Sequence, residues 1–122
     1  MHYIVLDFEW NQPLSEKEMI TEPFPFDSEI IEIGAVKLDE SFHSVDEFKT
    51  FIRPQFYPHM SSAVVQLTKI RPQELEKAPP FPEAFDAFID WCGDDCALCS
   101  WGPDDIPVLL DNMLLHGIPT EP

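Results

Sequence analysis

The order of elements in these 122 residues predicts an α/β fold built on a mixed sheet. Three observations carry that expectation. The stretches 29–38 and 45–52 both read as strands, and the short acidic link between them signals an antiparallel hairpin. A further apolar run, residues 2–7, precedes them and completes a β1-β2-β3 meander. The second half then alternates helix, strand and helix, giving β-β-β-α-β-α in all.

The first strand runs from about His2 to Asp7 and opens into a loop over residues 11–27, rich in proline and acids. In the second strand, Glu29–Leu38, Glu32 breaks an otherwise apolar row. Arg53-Pro54 closes the third. Ser61 or Ser62 is placed to cap a short helix through about Leu67, and Arg71-Pro72 starts another short turn. The next helix, residues 82–91, presents Phe85, Phe88 and Ile89 at i, i+3, i+4. Residues 96–101 read as a buried strand. The last helix spans 104–116, with Pro107 tolerable in its first turn and Gly117 as its stop. A first strand that bears functional acids is expected near the middle of the sheet. The final helix would normally return to another strand, so the chain reads as a single domain, 1–122, that lacks the carboxyl-terminal elements of its fold.

With 44% hydrophobic residues and 12% aromatics, the chain is a folded globule rather than an acidic disordered segment. No apolar run approaches the roughly 20 residues that span a bilayer, so a soluble, cytoplasmic protein without membrane contact is expected. Seven Lys+Arg against 23 Asp+Glu give a net charge of -16, which disfavours tight binding of long duplexes. Cys96 and Cys99 have a C-x-x-C spacing, but no second pair completes a zinc site. With Cys92 they read as reduced, mostly buried thiols.

Chemistry concentrates at the end of the first strand, in Asp7-Phe8-Glu9. Residues two apart project from one face of a strand, so the two carboxylates lie side by side and repel. A divalent cation between them would offset that repulsion, and hard oxygen ligands select Mg²⁺ or Mn²⁺. The alternative is a strand end that simply enters solvent. Trp101-Gly102-Pro103-Asp104-Asp105 repeats the pattern of strand followed by acids. If that strand lies beside the first, Asp105 joins Asp7 and Glu9, a set suited to two ions about 4 Å apart. Asp104 is expected to cap the helix; a purely capping role for both acids is the competing reading.

Asp7-Phe8-Glu9 resembles the first motif of the DEDD family of 3'-5' exonucleases, which have a ribonuclease-H-like fold. Residues 29–36 resemble that family's second strand. Arg53-Pro54, Ser61 and Leu67-Thr68-Lys69-Ile70 resemble the RP…LS…LTGIT stretch of its DEDDh branch. Trp101-Gly102-x-x-Asp105 resembles the second acidic motif in the ERI-like and KapD-like subgroup. The matches run in order along nearly the whole chain.

The resemblance implies two-metal phosphodiester hydrolysis at the 3' end of a single-stranded or 3'-overhanging nucleic acid, with RNA favoured. Asp7 would bridge two Mg²⁺ or Mn²⁺ ions, and Glu9 and Asp105 would complete their coordination. Leu67 and Thr68 would lie by the 3'-terminal nucleotide; the alternative is a loop plug with Leu67 and Ile70 buried. Trp10 stands where a small residue or Thr is common, and either stacks on a terminal base or is a buried aromatic. Glu32 would orient a substrate hydroxyl or a metal-bound water, and needs a partner in either case. The family's third motif, His-x-x-x-x-Asp, is not met after the second acidic motif, and no general base is found. His116 reads as surface; His2, His43 and His59 lie in strand or loop contexts. The fragment is therefore expected to be weakly active or inactive. The alternatives are a degenerate nuclease fold serving as a binding or regulatory module, and a metal-binding α/β protein that is not a nuclease. The missing elements should also leave an apolar face that invites homo-oligomers.

Overall fold

A computed structural model of the chain describes residues 1–100 and 103–119. Its elements are β1 (His2–Asn11), β2 (Glu29–Leu38), β3 (Ser44–Phe51), α1 (Ser62–Thr68), α2 (Pro72–Glu76), α3 (Phe81–Cys92), β4 (Cys96–Ser100) and α4 (Asp105–Leu115). A single 3₁₀ turn, Glu16–Glu18, and an isolated bridge between Ile20 and Phe26 order the loop after β1. The sheet order is β3-β2-β1-β4, antiparallel except for the parallel β1–β4 pair. The first strand is internal, as its acids lead one to expect.

Alternation along β1 and β2, broken at Ile31 by the register shift opposite Glu9 and Trp10, divides the core. Ile4, Leu6, Phe8, Ile33 and Ala35 face a cluster made by Phe81, Phe85 and Phe88 of α3 and Leu109 and Met113 of α4. On the other face Ile31 packs with Val64, Ile70 and Leu75, beneath α1 and α2. Burying each large apolar side chain contributes about 1.5–3 kcal/mol relative to leaving it in water, so the aromatic face dominates. Lys37 pins α3 to the sheet: its ammonium donates to the Trp91 carbonyl and lies 4.5 Å from the indole centroid. The indole NH in turn donates to Asp46 at 2.9 Å.

Two buried polar side chains join parts distant in sequence. Asn112 of α4 accepts from the Ile30 amide at 3.0 Å and donates to the Ser28 and Val108 carbonyls at 2.8 Å each. Glu29 receives the amides of Gln55, Phe56 and Tyr57 at 2.7–3.2 Å. Burial pushes its carboxyl upward against the opposing pull of those amides. Neither role is visible in the sequence.

Several expectations need correction. β1 does not stop at Asp7: it continues to Asn11 through a register shift between Glu9 and Trp10. Its last side chain is buried and donates to the Tyr57 and His59 carbonyls at 3.0 and 3.1 Å. β4 is an edge strand rather than a buried one, and Leu98 stays 45% exposed. Of the thiols Cys92 is buried, Cys96 half-buried and Cys99 exposed. His116 is no surface residue: its ring stacks on Phe81 at 4.9 Å and meets Phe56 at 5.1 Å, and burial lowers its pKa. No described helix is long and apolar enough to cross a membrane.

Asn112→Ala should destabilise the chain by about 2–3 kcal/mol, because it leaves buried backbone groups unpaired. Urea unfolding measures the loss. Leu67→Ala, at an 83% exposed position, should shift the midpoint by less than a quarter as much.

Candidate active site

Leu6 and Phe8 point into the aromatic core, so Asp7 and Glu9 emerge on the opposite face of β1. Glu9 is opposite Glu32 of β2, and Asp7 is opposite Gly34. Directly opposed residues share a face, which makes Glu32 a third carboxylate beside the pair. A Cβ at position 34 would come within 3.1 Å of the Asp7 carbonyl, so glycine permits close strand approach beside Asp7. The partner that Glu32 requires is Lys49 of β3, with 3.6 Å between charged atoms. Beside Asp7 a groove of about 540 Å³ runs between Val5, Gly34, Val36, Glu47 and Lys49.

Asp105 follows β4, the parallel neighbour of β1, whose described pairing runs from His2–Cys96 to Leu6–Ser100. The Phe8 amide, between Asp7 and Glu9 in sequence, lies near enough to the Asp105 carboxylate to pull its pKa down against the burial that raises it. Asp105 is the first residue of α4, where the helix dipole favours a negative charge. The site thus sits at the carboxyl end of a parallel strand pair, the usual ligand position in open α/β sheets. Trp101 and Gly102 of the second acidic motif lie outside the described residues. Asp104 occupies the N-cap position, but its side chain makes no capping bond.

The acids raise one another. Burial is the main cause for Glu9, followed by the charges of Asp7, Glu32 and Asp105. For Asp105, burial again leads; the Phe8 amide pulls the other way, and Asp7 and Asp104 add repulsion. The donor set is oxygen throughout and carries unneutralised charge, which fits a hard divalent cation. Among the described residues, no three His, Cys, Asp or Glu side chains stand close enough together to hold a metal ion.

Other residues singled out in the sequence fall elsewhere. Trp10, just past the irregularity in β1, is half-buried and packs against the aromatic core. Leu67 is 83% exposed, so it is not a core plug, whereas Ile70 is buried. The Thr68 hydroxyl finishes α1, donating to the Val64 carbonyl at 2.8 Å and accepting from Ile70 at 3.2 Å. The helix starts on Ser61, which accepts from Val64 at 3.1 Å. Lys69 takes the glycine place of the resembled motif with φ of +62°, a strained choice for a side-chain-bearing residue. No histidine among the described residues hydrogen-bonds to Asp7, Glu9 or Asp105. His2 does precede Asp7 by five positions, but along one strand that spacing separates them by roughly 16 Å.

A carboxyl raised by folding favours the protonated folded state. Its contribution to stability is complete below the unfolded pKa and is lost as pH rises through the folded one. Glu9→Gln should therefore stabilise the metal-free chain at pH 7, and the gain should vanish below about pH 4. Urea midpoints across that range measure it.

A family profile described as Exonuclease (RNase_T) matches residues 4–113. Human ERI1 exoribonuclease 2 is 30% identical over 94 residues, 74% of this chain and 12% of that protein. Human 3'-5' exoribonuclease 1 is 31% identical over 70 residues, 57% of this chain and 20% of that protein. The nuclease domain of 3'hExo, a DEDDh family member solved bound to rAMP, superimposes with a TM-score of 0.81 at 25% identity. That match covers 99% of this chain and 62% of the domain. The chain thus spans only part of the relatives it matches. Its mixed four-stranded sheet has the ribonuclease-H-like nuclease fold of 3'hExo. The chain belongs to the exonuclease family.

Proposed function

We propose that this domain is the acidic-motif portion of a 3'-5' exonuclease that hydrolyses phosphodiester bonds at the 3' end of single-stranded or 3'-overhanging nucleic acid, with RNA favoured. The observation that supports the reading is the nearness of Asp105 to the first acidic motif: the Phe8 amide lowers its carboxyl pKa and the Asp7 charge raises it. The similarity to human exoribonucleases supports the choice of RNA.

Asp7, Glu9 and Asp105 would hold two Mg²⁺ or Mn²⁺ ions. When bound, such ions supply an activated water and stabilise the leaving oxygen. The chain's own part is positioning. β1 fixes the directions of Asp7 and Glu9, and α4 delivers Asp105 with its charge at the helix amino terminus. Glu32, held by Lys49, stands beside Glu9 and can accept a hydrogen bond from a water or a hydroxyl entering the site. Trp10 and Leu67 are the candidate substrate contacts, and the exposure of Leu67 favours that role over a structural one.

The lack of a histidine beside the acids among the described residues favours weak or no hydrolysis by these 122 residues alone. Positioned proton transfer typically contributes 10²–10⁴-fold. The second reading, a nuclease fold used for binding or regulation without catalysis, rests on the same observation.

Titration calorimetry with Mn²⁺ should give binding heat that Asp7→Ala abolishes and Asp105→Asn weakens. No heat from the unaltered chain would remove the metal-site reading. A labelled oligoribonucleotide should be trimmed at least 100-fold more slowly than by a complete DEDDh nuclease domain, the factor expected from one missing proton-transfer group. Leu98, Leu110 and Leu114 are exposed apolar side chains, 39–54% accessible, and self-association through such a face is expected at high concentration. Sedimentation velocity over a concentration series checks it; an unchanging monomer would refute it.

A further inference from the structure

Residues 48–73 hold no aspartate or glutamate, although the chain has 23, and they include Lys49, Arg53, Lys69 and Arg71, four of its seven basic residues. This segment runs from the end of β3 through α1 to the start of α2. It lies on the acidic face of the sheet: α1 contacts β1, and Val64 and Ile70 pack with Ile31, the neighbour of Glu32 on β2. Lys49 stands at the site itself, 3.6 Å from Glu32 and lining the groove beside Asp7. Ile70 is 3% exposed and anchors the link between the two helices, while Lys69 and Arg71 on either side of it are exposed. Arg71 meets Glu74 at 3.1 Å yet keeps 72% of its side chain in solvent. A second groove, of about 550 Å³, opens along the segment between Arg53, His59, Met60 and Pro72.

Lys69 supplies an independent observation. It ends α1 at φ of +62°, where glycine would sit without strain, and its ammonium makes no ion pair among the described residues. Lys69 and Arg71 occupy the glycine and second threonine places of the LTGIT stretch that residues 67–71 resemble, so both cations are departures of this chain. A strained lysine without an ion pair contributes nothing to folding that glycine would not. Its charge is left for a ligand.

We propose that Lys69 and Arg71, continuing from Lys49, form a phosphate track that holds the backbone of a single-stranded nucleic acid leading to the acid site; the identity of that polyanion rests on the exonuclease reading above. Exposed ammonium and guanidinium groups contact phosphates without reading bases, so the strand is held whatever its sequence. The track works at contact range. Beyond roughly 8 Å, the screening length at physiological salt, the acidic remainder of the chain governs the field. The track therefore slows departure of the strand rather than speeding its approach.

The test is the fluorescence anisotropy of a labelled oligouridylate, about ten nucleotides long, titrated with the full 122-residue chain in the presence of Mn²⁺. Lys69→Gly should bind it roughly two- to fivefold more weakly, the worth of one exposed ion pair, while its urea midpoint rises because backbone strain is relieved. Arg71→Gln should lose a similar factor. Lys17→Gln, which removes a cation between Glu16 and Glu18, should bind like the unaltered chain. Unchanged affinity in both Lys69→Gly and Arg71→Gln overturns the proposal, as does an equal loss in Lys17→Gln. Equally tight binding of polyglutamate, or no binding of oligouridylate at all, overturns it too. Mn²⁺ binding heat reports separately on the acids. It should persist in Lys69→Gly, and its absence from the unaltered chain would remove the metal-site reading while leaving the Lys69 dependence to stand or fall by itself.

Discussion

Repulsion among carboxylates held at the end of one strand is the constraint around which this domain is built. Asp7 and Glu9 share a face of β1, Glu32 is paired across from Glu9, and Asp105 arrives on α4. Bringing four acids together costs stability, as the upward shifts of Glu9 and Asp105 register. Surrounding features oppose that cost. Lys49 engages Glu32, the nearby Phe8 amide pulls the Asp105 carboxyl down, and a helix amino terminus underlies it. Phe8 on the opposite face anchors the same three-residue stretch in the aromatic core.

That anchoring depends on elements far apart in the chain. Asn112 fastens α4 to the start of β2, so the helix that carries Asp105 is locked to the strand that carries Glu32. Glu29 and Asn11 draw residues 55–59 onto the same end of the sheet. Each tie uses a polar side chain with little or no exposure, where leaving a donor or acceptor unpaired is costly. The site's geometry is therefore set by polar locks as much as by apolar packing.

The sequence made the acids legible for a simple reason. Strand alternation fixes Asp7 and Glu9 on one face whatever the tertiary structure, and the antiparallel hairpin follows from a short link. Residues whose meaning depends on distant partners were less legible. Glu29 looks like the first residue of a strand until it meets the amides of the 55–57 loop, and His116 looks like a helix end until Phe56 and Phe81 enclose it. The apolar run at 96–100 reads as buried because composition cannot tell an edge strand from an interior one. The extension of β1 to Asn11 was hidden by a register shift, which interrupts the alternation that marks a strand.

The acid cluster also has a kinetic consequence. Its field adds to a chain of net charge -16, so small cations are drawn toward the site and a polyanion is repelled from it. On the proposed reading, order of arrival is imposed electrostatically: the divalent ions come first, and the nucleic acid follows once they have reversed the local sign. Added monovalent salt would then act in two directions, slowing cation capture while screening the approach of the substrate. Encounter would be fastest at an intermediate ionic strength, unlike the steady decline shown by proteins that grip phosphates with lysine and arginine.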